Sequence, residues 1–154
     1  KTGGNIHDNG TIEVTSNSIQ YDVSYHPKHL TCLSQNNYFV NGSFSDEVWV
    51  CFDFKNMEIE ITSYAIKSIQ REKGCAHIKN WSIEISNDVE KWEKIDEHSN
   101  YAELNGPDIV KAFDVSPRIF ARYCRFVHNN DYYGNLDYNL GLNSIEFYGK
   151  LKEQ

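Results

Sequence analysis

The densest grouping of metal-capable side chains is His26, His29 and Cys32, spaced H-x2-H-x2-C. A structural zinc ion needs four ligands in a closed tetrahedron, and no second Cys/His pair follows at a useful interval. Pro27 biases His26 toward extended backbone, so the stretch reads as a loop without metal. Nucleophilic catalysis needs a Ser or Cys beside a base and a group that orients it. Serines, histidines and aspartates are plentiful, but no G-x-S-x-G elbow is present. Paired carboxylates occur at Asp46-Glu47 and along Asp88 to Glu97. Glycoside hydrolysis requires two carboxylates facing each other across a cleft, whereas Asp88 to Glu97 reads as a turn and then a strand wet on one side. The expectation is a protein with no catalytic residue, no metal and no cofactor.

Binding is the chemistry that remains, and the elements that would carry it are strands. Thr11–Thr15 alternates apolar and polar residues. Val48–Phe54 puts Val50, Phe52 and Phe54 on one face, and Trp81–Ser86 puts Trp81, Ile83 and Ile85 on one face. Ile59–Ser68, Ile109–Val115, Ala121–His128 and Asn143–Gly149 are similar β-like runs. Alternation with period two means one buried face and one wet face. Asn9-Gly10, Asn41-Gly42, Asn105-Gly106 and Tyr133-Gly134-Asn135 mark tight turns between runs, because Gly and Asn tolerate positive φ. No stretch sustains a helical pattern. The predicted class is all-β, a sandwich or jelly roll.

The chain has 154 residues and fits one domain. Such a domain buries roughly 68–70% of its unfolded surface without needing staples. The four cysteines, at 32, 51, 75 and 124, form no CxxC pair, so reduced thiols are the preferred reading. The sequons at Asn9, Asn41 and Asn80 would matter only in a secreted protein. The formal charge of -7 repels phosphate backbones and anionic lipid. Nucleic acid is therefore not expected as a partner, and a membrane surface is disfavoured. Trp49, Trp81 and Trp92 could form a sugar-stacking platform, but each lies in or beside a β pattern and core or sheet-edge packing is expected. Alternation turns Arg125 outward and Cys124 and Phe126 inward. Arg122 is expected to pair with an acid such as Asp53.

Several runs resemble the coagulation factor 5/8 type C, or discoidin, domain. Asn80 to Asp88, followed by Trp92 and Ile95, is similar to its "W-x-I-x-x-S-x-D-G-x-x-W-x-x-I" pattern. Trp49–Phe54, Ile61–Ser68, Ala121–Phe126 and Leu142–Gly149 resemble four more of its segments, in family order. The likeness covers roughly residues 10 to 150, leaving 1–9 as a flexible N-terminal segment and 151–154 as a tail. It looks closest to the intracellular branch found with BTB or coiled-coil segments. It implies a jelly-roll β-sandwich of about eight antiparallel strands, with binding loops at one end. Val89 stands where the family commonly has Gly. Some sugar-binding relatives hold calcium; Glu146 is present for such a site, but its partner acid is not evident.

By the same resemblance the binding loops fall near His26–Ser45, Gln70–His77 and His128–Tyr138. They contain Asn36, Asn37, Tyr38, Arg71, His77, His128, Tyr132 and Tyr133. Tyrosine and arginine on loops favour interface contact; otherwise these are polar turn formers whose tyrosines cover the end of the sandwich. The leading expectation is a non-catalytic module docking a protein partner, in the cytoplasm, with an extracellular setting as the alternative. A carbohydrate-binding module and a phospholipid-binding domain are the rival functions.

Overall fold

The computed structural model describes residues 5–18, 23–32, 39–40, 47–128, 131–134 and 140–154. In chain order the strands are β1 (Glu13–Ser16), β2 (Phe39–Val40), β3 (Val48–Asp53), β4 (Met57–Ser68), β5 (His77–Ile78), β6 (Trp81–Ser86), β7 (Glu93–His98), β8 (Val110–Asp114), β9 (Phe120–Ala121), β10 (Tyr123–His128), β11 (Tyr132–Tyr133) and β12 (Gly141–Glu153). Among the described residues, eight are of four residues or more and four are two-residue pieces. The eight longer strands match the sandwich expected from the sequence.

The first sheet runs β1-β3-β10-β6-β7, and the second runs β2-β12-β4-β8 with β9 also on β4. All pairings are antiparallel. Inward-facing Val14, Val50, Phe52, Ile83, Ile85, Cys124 and Phe126 of the first sheet meet Ile61, Tyr64, Ile66, Leu142 and Ile145 of the second in one core. The alternation that put Arg125 outward holds, and Arg122 pairs with Asp53 through two hydrogen bonds of 2.8 and 2.9 Å. Asn5 donates to the Lys28 carbonyl and His7 accepts the Val14 N–H, which lays the chain before β1 against the body. At the other end, β12 continues to Glu153, pairing with Met57. A bulge falls between Tyr148 and Gly149. A Cβ on Gly149 would lie 1.8 Å from the Glu60 carbonyl oxygen, so only glycine fits there.

The expected core placement of tryptophan holds for Trp81, which is 3% exposed. Its ring stacks on His98 and meets Tyr101 and Phe113 edge-on. Its Nε1–H donates to the Tyr64 hydroxyl at 2.9 Å, and that hydroxyl donates to Asp96 at 2.6 Å. His98 Nε2 lies 2.9 Å from the same carboxylate oxygen. The chain of bonds crosses from the first sheet to the second and back. Trp49 and Trp92 are half-buried against the outer side of the first sheet rather than in the core. Trp49 is out of phase with Val50 and Phe52, so it points to the wet side of β3.

The turn before β7 is held by side chains. Ser86 Oγ accepts the N–H groups of Asp88 and Val89, and Asp88 Oδ1 accepts those of Glu90 and Lys91. Those two backbone donors lower the Asp88 pKa below its ordinary value. They also hold Val89 at φ 59, a left-handed conformation that a β-branched residue resists.

Two stability outcomes follow from these contacts. Trp81→Ala is expected to lower unfolding free energy by ~3–5 kcal/mol in urea titration; a loss under ~1 kcal/mol would show that the ring is not part of the core. Val89→Gly is expected to raise the unfolding free energy by about 1 kcal/mol, since relief of left-handed strain outweighs the entropy glycine adds to the unfolded chain.

Candidate functional site

Pairing of β5 with β11 joins two loops that are distant in sequence: Tyr132 faces Ile78 and Tyr133 faces His77. The approach is close. A Cβ on Gly134 would come 3.0 Å from the Ala76 nitrogen. Gly141 N–H donates to the Ala76 carbonyl at 3.0 Å, tying the start of β12 to the same point. His77 is fully buried, and its Nε2 lies 3.1 and 3.0 Å from the carbonyls of Arg71 and Glu72. That ring braces the Gln70–His77 loop from inside.

A polar array sits beside this ribbon. Asp131 accepts from Lys79 Nζ at 3.1 and 2.9 Å and from Asn80 Nδ2 at 2.8 Å. Asn80 Oδ1 accepts the Asn100 N–H at 2.7 Å. The Tyr133 hydroxyl donates to the Asn100 carbonyl at 3.4 Å, with Lys79 Nζ 5.9 Å from its ring centroid. Of these groups Asn80, Asn100 and Asp131 line an open cleft of about 330 Å³, together with His98, His128 and the acids Glu47, Glu84 and Glu97.

Of the eight site residues expected from sequence, Asn36, Asn37 and Tyr38 lie outside the described residues. Tyr132 and Tyr133 are half-buried on the ribbon, and Arg71 is half-buried at the start of its loop. His128 is 2% exposed, on the cleft floor, and His77 does not reach the surface. Lys79, Asn80, Asn100 and Asp131 were not singled out. Asn80 and Asp131 stand in motifs already noted, but their meeting depends on the β5–β11 register, which the sequence does not display.

The cleft is equipped for hydrogen bonding. Its four carboxylates, the Lys94 ammonium and the Asn80 and Asn100 amides offer both acceptors and donors. Burial pushes the Cys51 thiol up to about 11 and raises that of Cys124 as well, so neither supplies a thiolate. All four cysteines are unpaired. His26 caps a short 3-10 turn, Pro27–Thr31, its Nδ1 accepting the Lys28 N–H. Among the described residues, no three His, Cys, Asp or Glu side chains group as a metal site.

No family profile matches the sequence. No curated protein matches it either. Solved structures do match. A Clostridium perfringens chain designated CpGH89CBM32-6 is 24% identical, with a TM-score of 0.67, over 96% of this chain and 100% of its own. A second module from that organism, CpGH89CBM32-5 in complex with GalNAc-β-1,3-galactose, is 14% identical, with a TM-score of 0.70, over 91% and 96%. The family 32 carbohydrate-binding module of Streptococcus pneumoniae EndoD is 11% identical, with a TM-score of 0.71, over 90% and 96%. The fold is thus the galactose-binding-like, or discoidin, jelly-roll sandwich. The expectation of a protein-docking module is overturned by these neighbours, which are carbohydrate-binding modules. Loop tyrosines and arginine suit either kind of contact, and composition did not separate them.

Burial of His128 lowers its pKa from 6.5 to about 3. Between those values the unfolded chain binds more protons than the folded one. Its contribution to stability is therefore intact above about pH 6.5 and is lost as the pH falls toward 3. The expected slope is up to ~1.4 kcal/mol per pH unit. Urea midpoints at about pH 7 and about pH 5 should differ less in His128→Asn than in the parent protein; equal differences would contradict this role.

Proposed function

We propose that this chain is a non-catalytic carbohydrate-binding module that holds a sugar in the cleft at the loop end. The observation that carries the reading is the Lys79–Asp131–Asn80–Asn100 array beside that cleft. Sugar hydroxyls both donate and accept, and prepaired groups of mixed polarity can meet them without a large ordering penalty. The ligand class is supported by neighbours of the same fold described in complex with galactose and with GalNAc-β-1,3-galactose. A net charge of -7 weighs against a phospholipid surface.

A glycan array followed by calorimetry tests the reading. The parent protein should retain neutral galactose-type saccharides, and Asp131→Ala should weaken retention at least about tenfold with little change in unfolding midpoint. A parent protein that gives no saccharide signal would overturn the proposal.

A further inference from the structure

The outward side of the first sheet carries a second cleft, which adjoins the first across the Arg125–Glu84 pair. Trp49 of β3, Tyr123 of β10 and Trp92 of the turn before β7 line a shallow cleft of about 270 Å³ together with Thr15 and Arg125. That volume falls just below the ~300–1,000 Å³ typical of small-molecule sites, as suits a shallow face that takes one or two rings. All three rings are half-buried, so each keeps ring surface in solvent. Trp92 is held in place from two directions. Its Nε1–H donates to the Val89 carbonyl at 3.1 Å, and the Arg125 guanidinium lies 4.2 Å from its ring centroid. The Arg122 guanidinium lies 4.7 Å from the Tyr123 ring centroid. The rim includes Val89, which is 51% exposed in the strained turn already described.

The charges of this surface identify its ligand. Each charged side chain lining the cleft already has a counter-ion: Glu13 has Lys55, Asp53 has Arg122, and Arg125 has Glu84 at 2.7 Å. No lining charge is left over to select an ion. Fixed aromatic surface beside neutralised polar pairs suits a molecule that is uncharged, has apolar C–H faces and is edged with hydroxyls.

We propose that this face is a second saccharide subsite, in which Trp49, Trp92 and Tyr123 stack on a short neutral glycan. The Thr15 hydroxyl and the Arg125–Glu84 pair then meet its hydroxyls. The ligand class rests on the proposed function, whereas the placement rests on the face alone.

The three tryptophans give an internal control. In 15N-labelled protein each indole N–H is a separate NMR signal, and that of Trp81 is buried against Tyr64. Galactose, GalNAc-β-1,3-galactose and cellobiose serve as probes. The expected result is saturable movement of the Trp49 and Trp92 signals with at least one probe, while Trp81 stays still. Asp131→Ala should leave those shifts in place. Trp92→Ala should weaken the response of Trp49 at least about tenfold, and Trp49→Ala should do the same to Trp92. Movement confined to the side-chain amides of Asn80 and Asn100 would overturn the second subsite and leave the loop-end reading standing. Movement of Trp49 and Trp92 without those amides would support the face and count against the loop-end cleft. No response to any of the probes would overturn both.

Discussion

The hydrogen-bonded chain from Trp81 through Tyr64 to Asp96 and His98 is the constraint on which the rest of the structure depends. A buried indole N–H needs a partner, and a buried phenol needs an acceptor. Tyr64 meets both needs, and burial together with the Asp96 bond raises its pKa above the ordinary tyrosine value. Because Tyr64 belongs to the second sheet and the other three residues to the first, the bonds fix how the layers sit on each other. They also fix the loop end. Asn80 directly precedes Trp81, and Asn100 follows His98 by two residues, so both amides inherit their positions from rings locked in the interior.

The fold pins side chains on two kinds of surface. At the loop end, hydrogen-bonding groups are pinned by a two-stranded ribbon whose tightest point is Gly134 against Ala76. On the sheet face, rings are pinned by cations that are themselves paired with acids. Asp53 shows the second device clearly. Burial alone would raise its pKa, but the hydrogen bonds from Arg122 and the Lys55 N–H outweigh it and hold the carboxyl below its ordinary value. Such pairs give geometry rather than net charge.

How much was legible in the sequence depends on periodicity. β6 was read with its observed limits, because Trp81, Ile83 and Ile85 alternate strictly with polar residues. The Arg122–Asp53 pair was legible for the same reason. The two-residue strands β5 and β11 carry no period, so neither the ribbon nor the grip of Lys79 and Asn80 on Asp131 could be seen. Family resemblance puts His77 in a binding loop; only the fold shows two carbonyls drawing it inside. Trp92 lies in the turn before β7, where no period tells the inner side from the outer. Composition could not separate a protein partner from a sugar, since tyrosine and arginine serve both equally well.

The border strand β7 has a consequence of its own. It ends the first sheet, and five of its six residues, Glu93, Lys94, Asp96, Glu97 and His98, are acidic or basic. A free strand margin invites another chain to add on, and dense charge discourages that addition. Molecules crowded side by side on a ligand-rich surface would therefore resist zipping together into fibrils through this edge.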